Sequence, residues 1–431
     1  MSHESIQARP GGTHDRIHSD IRHAIYALSD ALDLVGIEDV AHGKRVGIMA
    51  AQCAQSAGFA EQEITFLFDL GMLHDIGVSS TSDYQHHVDE FEWENSRIHC
   101  ETGHRLLRGF RPLAAMAEPI LFHHRRWNDP DWDRVSPLVR EQANLIYLVD
   151  RVDALSKRFH ANRSLLQNSH AIRDRIERGA GTYFAPHLVE FFLAASAREA
   201  FWLNLEPRSI QFYLNEKLSR LNLVETSLED FKQLARIFAC IVDGKSRYTM
   251  EHSQGVASLS RWLAVKLDLS PDLCDKIEVA GLLHDLGKLR IPDSILDKPG
   301  PLSEDERRIV NSHSFETYQI LRQIAGFEDI ACWAAYHHEE PSGNGYPFHV
   351  RGAELSVEAR IIAVADVFQA MIQDRPYRAG FTAEQLAPFL RDMAAADKLD
   401  AGIVELTLSD ISGAMAAALP ISACQMEEAS M

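Results

Sequence analysis

A histidine and an aspartate stand side by side at positions 284 and 285, and Lys288 follows, in the stretch VAGLLHDLGKLRIPDSIL. An imidazole nitrogen and a carboxylate can each hold a metal ion, and one carboxylate can bridge two. Further donors lie on both sides: His252 upstream, then His313, the doublet His337 and His338, and Asp366 downstream. Any one of these histidines taken alone reads more readily as a core residue bonded to backbone. The ordered set reads differently. Imidazole and carboxylate ligands without thiolate suit iron, manganese or a similar divalent ion better than structural zinc. Two such ions about 3.5–4 Å apart, bridged by Asp285, would hold a hydroxide in line with a phosphorus. The metals and Lys288 would neutralise the phosphate oxygens.

Donors so far apart in sequence need elements that bring them together, and the apolar periodicity supplies helices. Ile21, Ile25, Leu28, Leu32 and Val35 recur at spacings of three and four, and helical patterns continue through Val46–Ala57, Glu61–Leu73, Glu101–Leu107, Leu113–Phe122, Gln142–Phe159 and His187–Ala197. The run Ala197–Leu221, broken by Pro207, reads as a helical connector. A second set begins near Ser227, with helix starts at Ser270-Pro271 and capping boxes at Ser303/Glu306 and Thr382/Gln385. Strand signals are nearly absent, so the expected fold class is all-α.

The two halves carry the same series. His42, His74, Asp75, His99, His123, His124 and Asp150 match His252, His284, Asp285, His313, His337, His338 and Asp366 in order. The first interval is 32 residues in both halves, and the interval from single histidine to doublet is 24 in both. Flanking words agree too, GMLHDIG with GLLHDLG and LIYLVDRVDAL with IIAVADVFQAM. A unit this long is a duplicated domain rather than a solenoid repeat. The expected organisation is a disordered leader over 1–17, a degenerate metal-binding regulatory domain over 18–200, a helical connector over 201–226 and a catalytic domain over 227–431.

The words HDLGKLRIPDSILDKPGPLSEDE, HHEEPSGNGYP and ADVFQAMIQDRPYR resemble, in that order, the HD-GYP family, over roughly 243–378. The resemblance implies two tandem HD-superfamily helical domains, the second hydrolysing a cyclic dinucleotide, with cyclic di-GMP favoured, to a linear dinucleotide or mononucleotides. Alternatives are 3'3'-cyclic GMP-AMP as substrate and a non-enzymatic signalling or binding module. The resemblance also makes the seven C-terminal donors metal ligands. It places Lys288 at the scissile phosphate, and gives Gly345, Tyr346, Pro347, Arg375 and Arg378 to substrate binding. An arginine fork suits phosphate on geometric grounds as well, and Gly343 and Gly345 let the loop bend over the site. Tyr248 stands where some members have a glutamate for a third metal, which leaves two ions. Ser342 replaces a usual aspartate, a change expected to loosen the loop. Lys398-Leu399-Asp400 replaces the family's FDP word.

The N-terminal copy keeps the donors but has Val78 in place of the lysine, RRWNDPDW after its doublet, and no GYP or RPYR. It reads as catalytically silent, either metal-loaded or a metal-free remnant, with a hydrolase of different substrate as a third reading. Glu38, four residues before His42, is either an added ligand or a helix-start carboxylate.

A formal charge of −19, with 46% hydrophobic and 24% charged residues, describes a soluble globular chain and argues against a nucleic-acid polymer as partner. Six cysteines without CxxC spacing read as reduced thiols of a cytoplasmic protein. No apolar run reaches the ~20 residues of a membrane span. A second copy of the chain or a signalling protein stays open as partner.

Overall fold

The computed structural model describes residues 16–17, 21–36, 41–81, 97–160, 163–219, 226–245, 251–374 and 379–419. Glu38, Tyr248, Arg375 and Arg378 lie outside them. The described residues are helical apart from turns and one two-residue antiparallel pair, Arg16–Ile17 with Thr226–Ser227. The last two residues of the expected leader are therefore paired to the start of the second helical set.

Helix starts follow the local chemistry. The Ser227 hydroxyl accepts from Asp230 N, Ser270 Oγ accepts from Leu273 N with Pro271 in the first turn, and Ser303 and Glu306 form a reciprocal capping box. Pro207 divides the connector into Glu199–Leu203 and Pro207–Ser219 by starting the second helix. The helix Leu165–Glu177 was not foreseen, because its buried apolar residues Leu165, Ile172 and Ile176 are too sparse for a clear stripe.

The duplication is visible element by element. His42–Ser56 and His252–Lys266 each run 15 residues, and Glu61–Leu73 and Pro271–Leu283 each run 13. These paired helices pack side by side in each half. Arg97–Arg108 and His313–Leu321, then Ala114–Phe122 and Glu328–Ala335, then Pro137–His160 and Val357–Ile372, complete the two sets. The donors sit mainly at helix ends rather than along helix faces. His42, His252 and His313 are first residues; His74, His123 and His284 are C-caps; Asp150 and Asp366 alone lie mid-helix.

The halves touch where this matters. The helix Ile21–Asp33 packs against the His313–Leu321 helix as well as against its own half, and Gln323 Nε2 donates to Asp30 Oδ2 at 3.0 Å. The segment after His74-Asp75 meets the segment after His284-Asp285. Ser80 Oγ and Thr81 N donate to Asp293 Oδ2 at 2.9 and 2.8 Å, and Lys245 Nζ bridges Asp293 Oδ1 and Thr81 Oγ1, both at 3.1 Å. No single helix among the described residues is long and apolar enough to cross a membrane.

Candidate metal centre

In the C-terminal half three of the donor histidines are aimed by their own backbone. His284, His313 and His337 bring Nδ1 to within 2.6–2.7 Å of the carbonyls of Gly281, Val310 and Ala334, each three residues back. A carbonyl only accepts, so Nδ1 carries the hydrogen and Nε2 faces the interior as a bare lone pair. His252 Nδ1 is fixed by a side chain instead, Gln369 Oε1 at 2.6 Å. Gln369 lies one turn beyond Asp366 on the same helix. Sequence reading passed over it, although the three-residue offset from Asp366 was the available signal.

Asp285 stands between two groups of these nitrogens. Its Oδ2 is 3.2 Å from His284 Nε2 and 3.6 Å from His252 Nε2, while Oδ1 is 3.3 Å from His313 Nε2 and 3.9 Å from His337 Nε2. Asp366 closes the first group, Oδ1 lying 3.2 Å from His252 and 3.9 Å from His284, and its Oδ2 reaches His338 Nδ1 at 4.0 Å. The structure thus brings all seven expected donors to one centre. It also separates them into two clusters that could each hold an ion, His252/His284/Asp366 and His313/His337/His338, with Asp285 between.

The donor set fits cations. His284 Nε2 and Asp285 Oδ1 are buried without a hydrogen-bond partner. A lone pair facing a carboxylate is unfavourable unless positive charge lies between them. Burial would raise the Asp285 carboxyl, but His284, Lys288 and His313 hold it well below the usual carboxylate range. Burial pushes the His313 imidazole down to about 3, so it stays neutral and competent as a ligand. Lys288 Nζ pairs with Asp285 Oδ2 from one turn away, which puts an ammonium at the rim of the centre. Gly287 is required beside it: a Cβ there would stand 2.1 Å from His313 O, and at the equivalent Gly77 2.0 Å from His99 O.

The loop after the doublet is pinned over this centre. Tyr346 lays its ring 4.8 Å from that of His338 and its N–H donates to His338 O at 3.1 Å. A Cβ on Gly345 would meet His338 O and Glu339 Cα at 2.5 Å, so only glycine permits the approach. Phe348 packs against Phe315, Tyr318 and Tyr336. Ser342, expected to loosen the loop, is tied in instead: its N–H donates to Asp397 O and its hydroxyl to Glu340 Oε2. The main anchor is a residue sequence reading missed. Glu339 is 1% exposed, and its carboxylate accepts from the N–H groups of Phe348, His349 and Val350 at 2.7, 3.2 and 3.0 Å.

The N-terminal centre repeats the geometry with altered chemistry. His74 and His123 give Nδ1 to Gly71 O and Ile120 O, and Asp75 lies 3.4–3.8 Å from His42, His74, His99 and His123 nitrogens. Asp153 replaces Gln369 behind the first histidine, 2.8 Å from His42 Nδ1, and takes a bidentate pair from buried Arg45 at 2.6 and 2.8 Å. The Arg151 guanidinium pairs with Asp150 Oδ2 at 2.8 Å. Val78 stands where the other half has Lys288, and the residues after the doublet form a different structure in which Arg125 lies over Phe122 and Trp132.

Two models of the HD domain match the chain, over residues 222–403 and 40–158. The chain is 34% identical over 392 residues to 3'3'-cGAMP-specific phosphodiesterase 1 of Vibrio cholerae, spanning 90% of this chain and 91% of that one. It is 31% identical to 3'3'-cGAMP-specific phosphodiesterase 3 of the same organism, over 73% of this chain and 67% of the relative. A cyclic di-GMP phosphodiesterase response regulator of Xanthomonas campestris matches at 39% identity over 40% of this chain and 46% of its own length. The solved structure of a cyclic GMP-AMP specific phosphodiesterase from V. cholerae superposes with a TM-score of 0.61 at 23% identity, covering 92% of this chain and 98% of that one, which supports the fold.

Proposed function

We infer the activity of this chain from its family: it belongs to the HD-GYP phosphodiesterases, with two HD domains in tandem, and it is a cyclic-dinucleotide phosphodiesterase. The observation that carries the reading of its site is the placement of Asp285, whose two oxygens face two separate histidine groups with Lys288 alongside. We assign two divalent ions of the iron or manganese kind to the C-terminal half. One would be held by His252, His284, Asp285 and Asp366, the other by Asp285, His313, His337 and His338. When bound they supply Lewis-acid activation of water and neutralisation of phosphate charge.

The chain's own residues do the rest. The backbone carbonyls behind His284, His313 and His337 fix ring orientation before anything binds, so little reorganisation is left for the reaction. Asp285, held ionised by its neighbours, keeps both oxygens available as donors. Lys288, whose ammonium stands at the rim beside Asp285, would meet a non-bridging phosphate oxygen. The loop pinned by Glu339 holds Tyr346 over His338, where it limits water entry and borders the path of the dinucleotide. Arg375 and Arg378, outside the described residues, are assigned to the substrate phosphates by the family resemblance.

Relatives that match across both halves are named for 3'3'-cyclic GMP-AMP, whereas the cyclic di-GMP regulator matches less than half of the chain. We therefore place cyclic GMP-AMP first as substrate and cyclic di-GMP second. Manganese- or iron-loaded protein is incubated with each dinucleotide and the products separated by chromatography; linear product from cyclic GMP-AMP at the higher kcat/KM is expected, and none from either would overturn the assignment. Removal of metal by a chelator abolishes turnover and readdition restores it. The N-terminal half, with Val78 for the lysine and with Asp150 already compensated by Arg151, is assigned a silent regulatory role.

A further inference from the structure

The N-terminal centre contains a donor that the catalytic one lacks. Cys100 follows His99 and is 2% exposed. Its Sγ lies 3.5 Å from His99 Nε2 and 3.6 Å from His123 Nδ1, and the His99 and His123 Nε2 atoms are 3.4 Å apart. Donors on His99, Cys100, His123 and His124 all fall within 4.8 Å of one another. At the corresponding place in the catalytic half the residue is Ser314, its hydroxyl 3.3 Å from His313 Nε2.

The distances have a direct meaning. With metal–nitrogen bonds of about 2.0–2.1 Å and a metal–sulfur bond of about 2.3 Å, tetrahedral corners stand about 3.4 Å apart for two nitrogens and about 3.5 Å for nitrogen and sulfur. The His99–His123 and Cys100–His99 separations already have those values. His123 is also oriented for the task, since Ile120 O holds its Nδ1 and turns Nε2 inward. Next to this cluster His74 Nε2 is fully buried and without a hydrogen-bond partner. A neutral serine hydroxyl is a poor ligand, whereas a thiol that gives up its proton to solvent becomes a strong one for borderline-soft ions.

We propose that His99, Cys100, His123 and His124 form a mixed thiolate–imidazole site for a thiophilic divalent ion of the zinc class, chemically distinct from the thiolate-free catalytic centre. The single Cys/Ser difference between the duplicated halves gives each half its own metal preference. The N-terminal ion is structural or regulatory because Val78 stands where the catalytic half has Lys288. This inference does not depend on the phosphodiesterase reading, since its readouts are taken at the N-terminal centre.

The full chain is stripped of metal and reloaded with cobalt(II). A near-ultraviolet thiolate-to-cobalt charge-transfer band from Cys100 is expected, since among the described residues no cysteine joins the catalytic cluster. The band is lost in Cys100→Ser, a replacement the other half already carries at Ser314, and kept in Cys274→Ser, with helical circular dichroism unchanged. No band in the parent, or a band that survives Cys100→Ser, overturns the proposal. If Cys100→Ser does not fold, zinc-edge X-ray absorption on the zinc-loaded parent decides: a sulfur shell at about 2.3 Å supports the site, and nitrogen and oxygen shells alone refute it. A catalytically dead protein that still shows the band would leave this site standing while the phosphodiesterase assignment falls.

Discussion

Glu339 offers the sharpest test of how the substrate loop is held. Its buried carboxylate accepts three backbone N–H bonds, two on Oε1 from Phe348 and His349 and one on Oε2 from Val350. Hydrogen bonds to a charged group contribute about 1.5–3 kcal/mol each. At the lower end the three sum to roughly 4–5 kcal/mol, which is what Glu339→Ala removes. The loop is then free to swing out and satisfy its amides with water, carrying Tyr346 off His338. At about 1.4 kcal/mol per tenfold, kcat/KM for the cyclic dinucleotide falls about 10³-fold. Glu339→Gln keeps a carbonyl oxygen for the two bonds on one side and turns an N–H₂ toward Val350 N, so it loses one bond and about tenfold. Both variants are expected to keep their metal, because Glu339 is not one of the clustered donors. The assay is steady-state kinetics on metal-analysed protein, with circular dichroism as the check on folding. Rates within twofold of the parent for Glu339→Ala would refute the reasoning. So would equal losses in the two variants, since the argument counts bonds.

Other expectations follow from the same geometry. Lys288→Met keeps both metal clusters intact and lowers kcat by about 10²–10³, the cost of losing one charge-stabilising donor; unchanged kcat would remove Lys288 from the site. In the N-terminal half, Arg45→Met leaves the Asp153 carboxylate buried and partly unpaired, and urea unfolding should show a loss of about 3–5 kcal/mol. A loss under about 1 kcal/mol would show that the pair is dispensable. In metal-free protein the His313 imidazole, pushed down by burial, titrates near about 3 rather than at its ordinary value. Because its folded value is depressed, its contribution to stability is full above the unfolded value of about 6.5 and declines as pH falls toward about 3. Histidine NMR across that range reads it directly, and a midpoint near the ordinary value contradicts the burial.

The sequence by itself determined the donor series and its duplication, and the reason is mechanical. Helices of fixed length separate donors that sit at helix ends, so equal 15- and 13-residue helices in the two halves appear as equal residue intervals. Capping residues and apolar periodicity placed the helices, and the Lys288/Val78 and GYP differences distinguished the two halves, because those distinctions depend on residue type alone. Tertiary structure decided what depends on partners remote in the chain. Gln369 stands behind His252 across 117 residues, where Gly255 leaves no side chain to compete with it, whereas Arg45 and Asp153 fill that place in the other half. Glu339 anchors a loop through backbone N–H groups, which carry no sequence signature. Asp293 and Lys245 join the segments that follow the two His-Asp pairs only because the halves pack with those segments in contact. Cys100 read as one more buried thiol until the fold set its sulfur against two imidazoles. Residue identity fixes which chemistry is available, and packing fixes which atoms face one another.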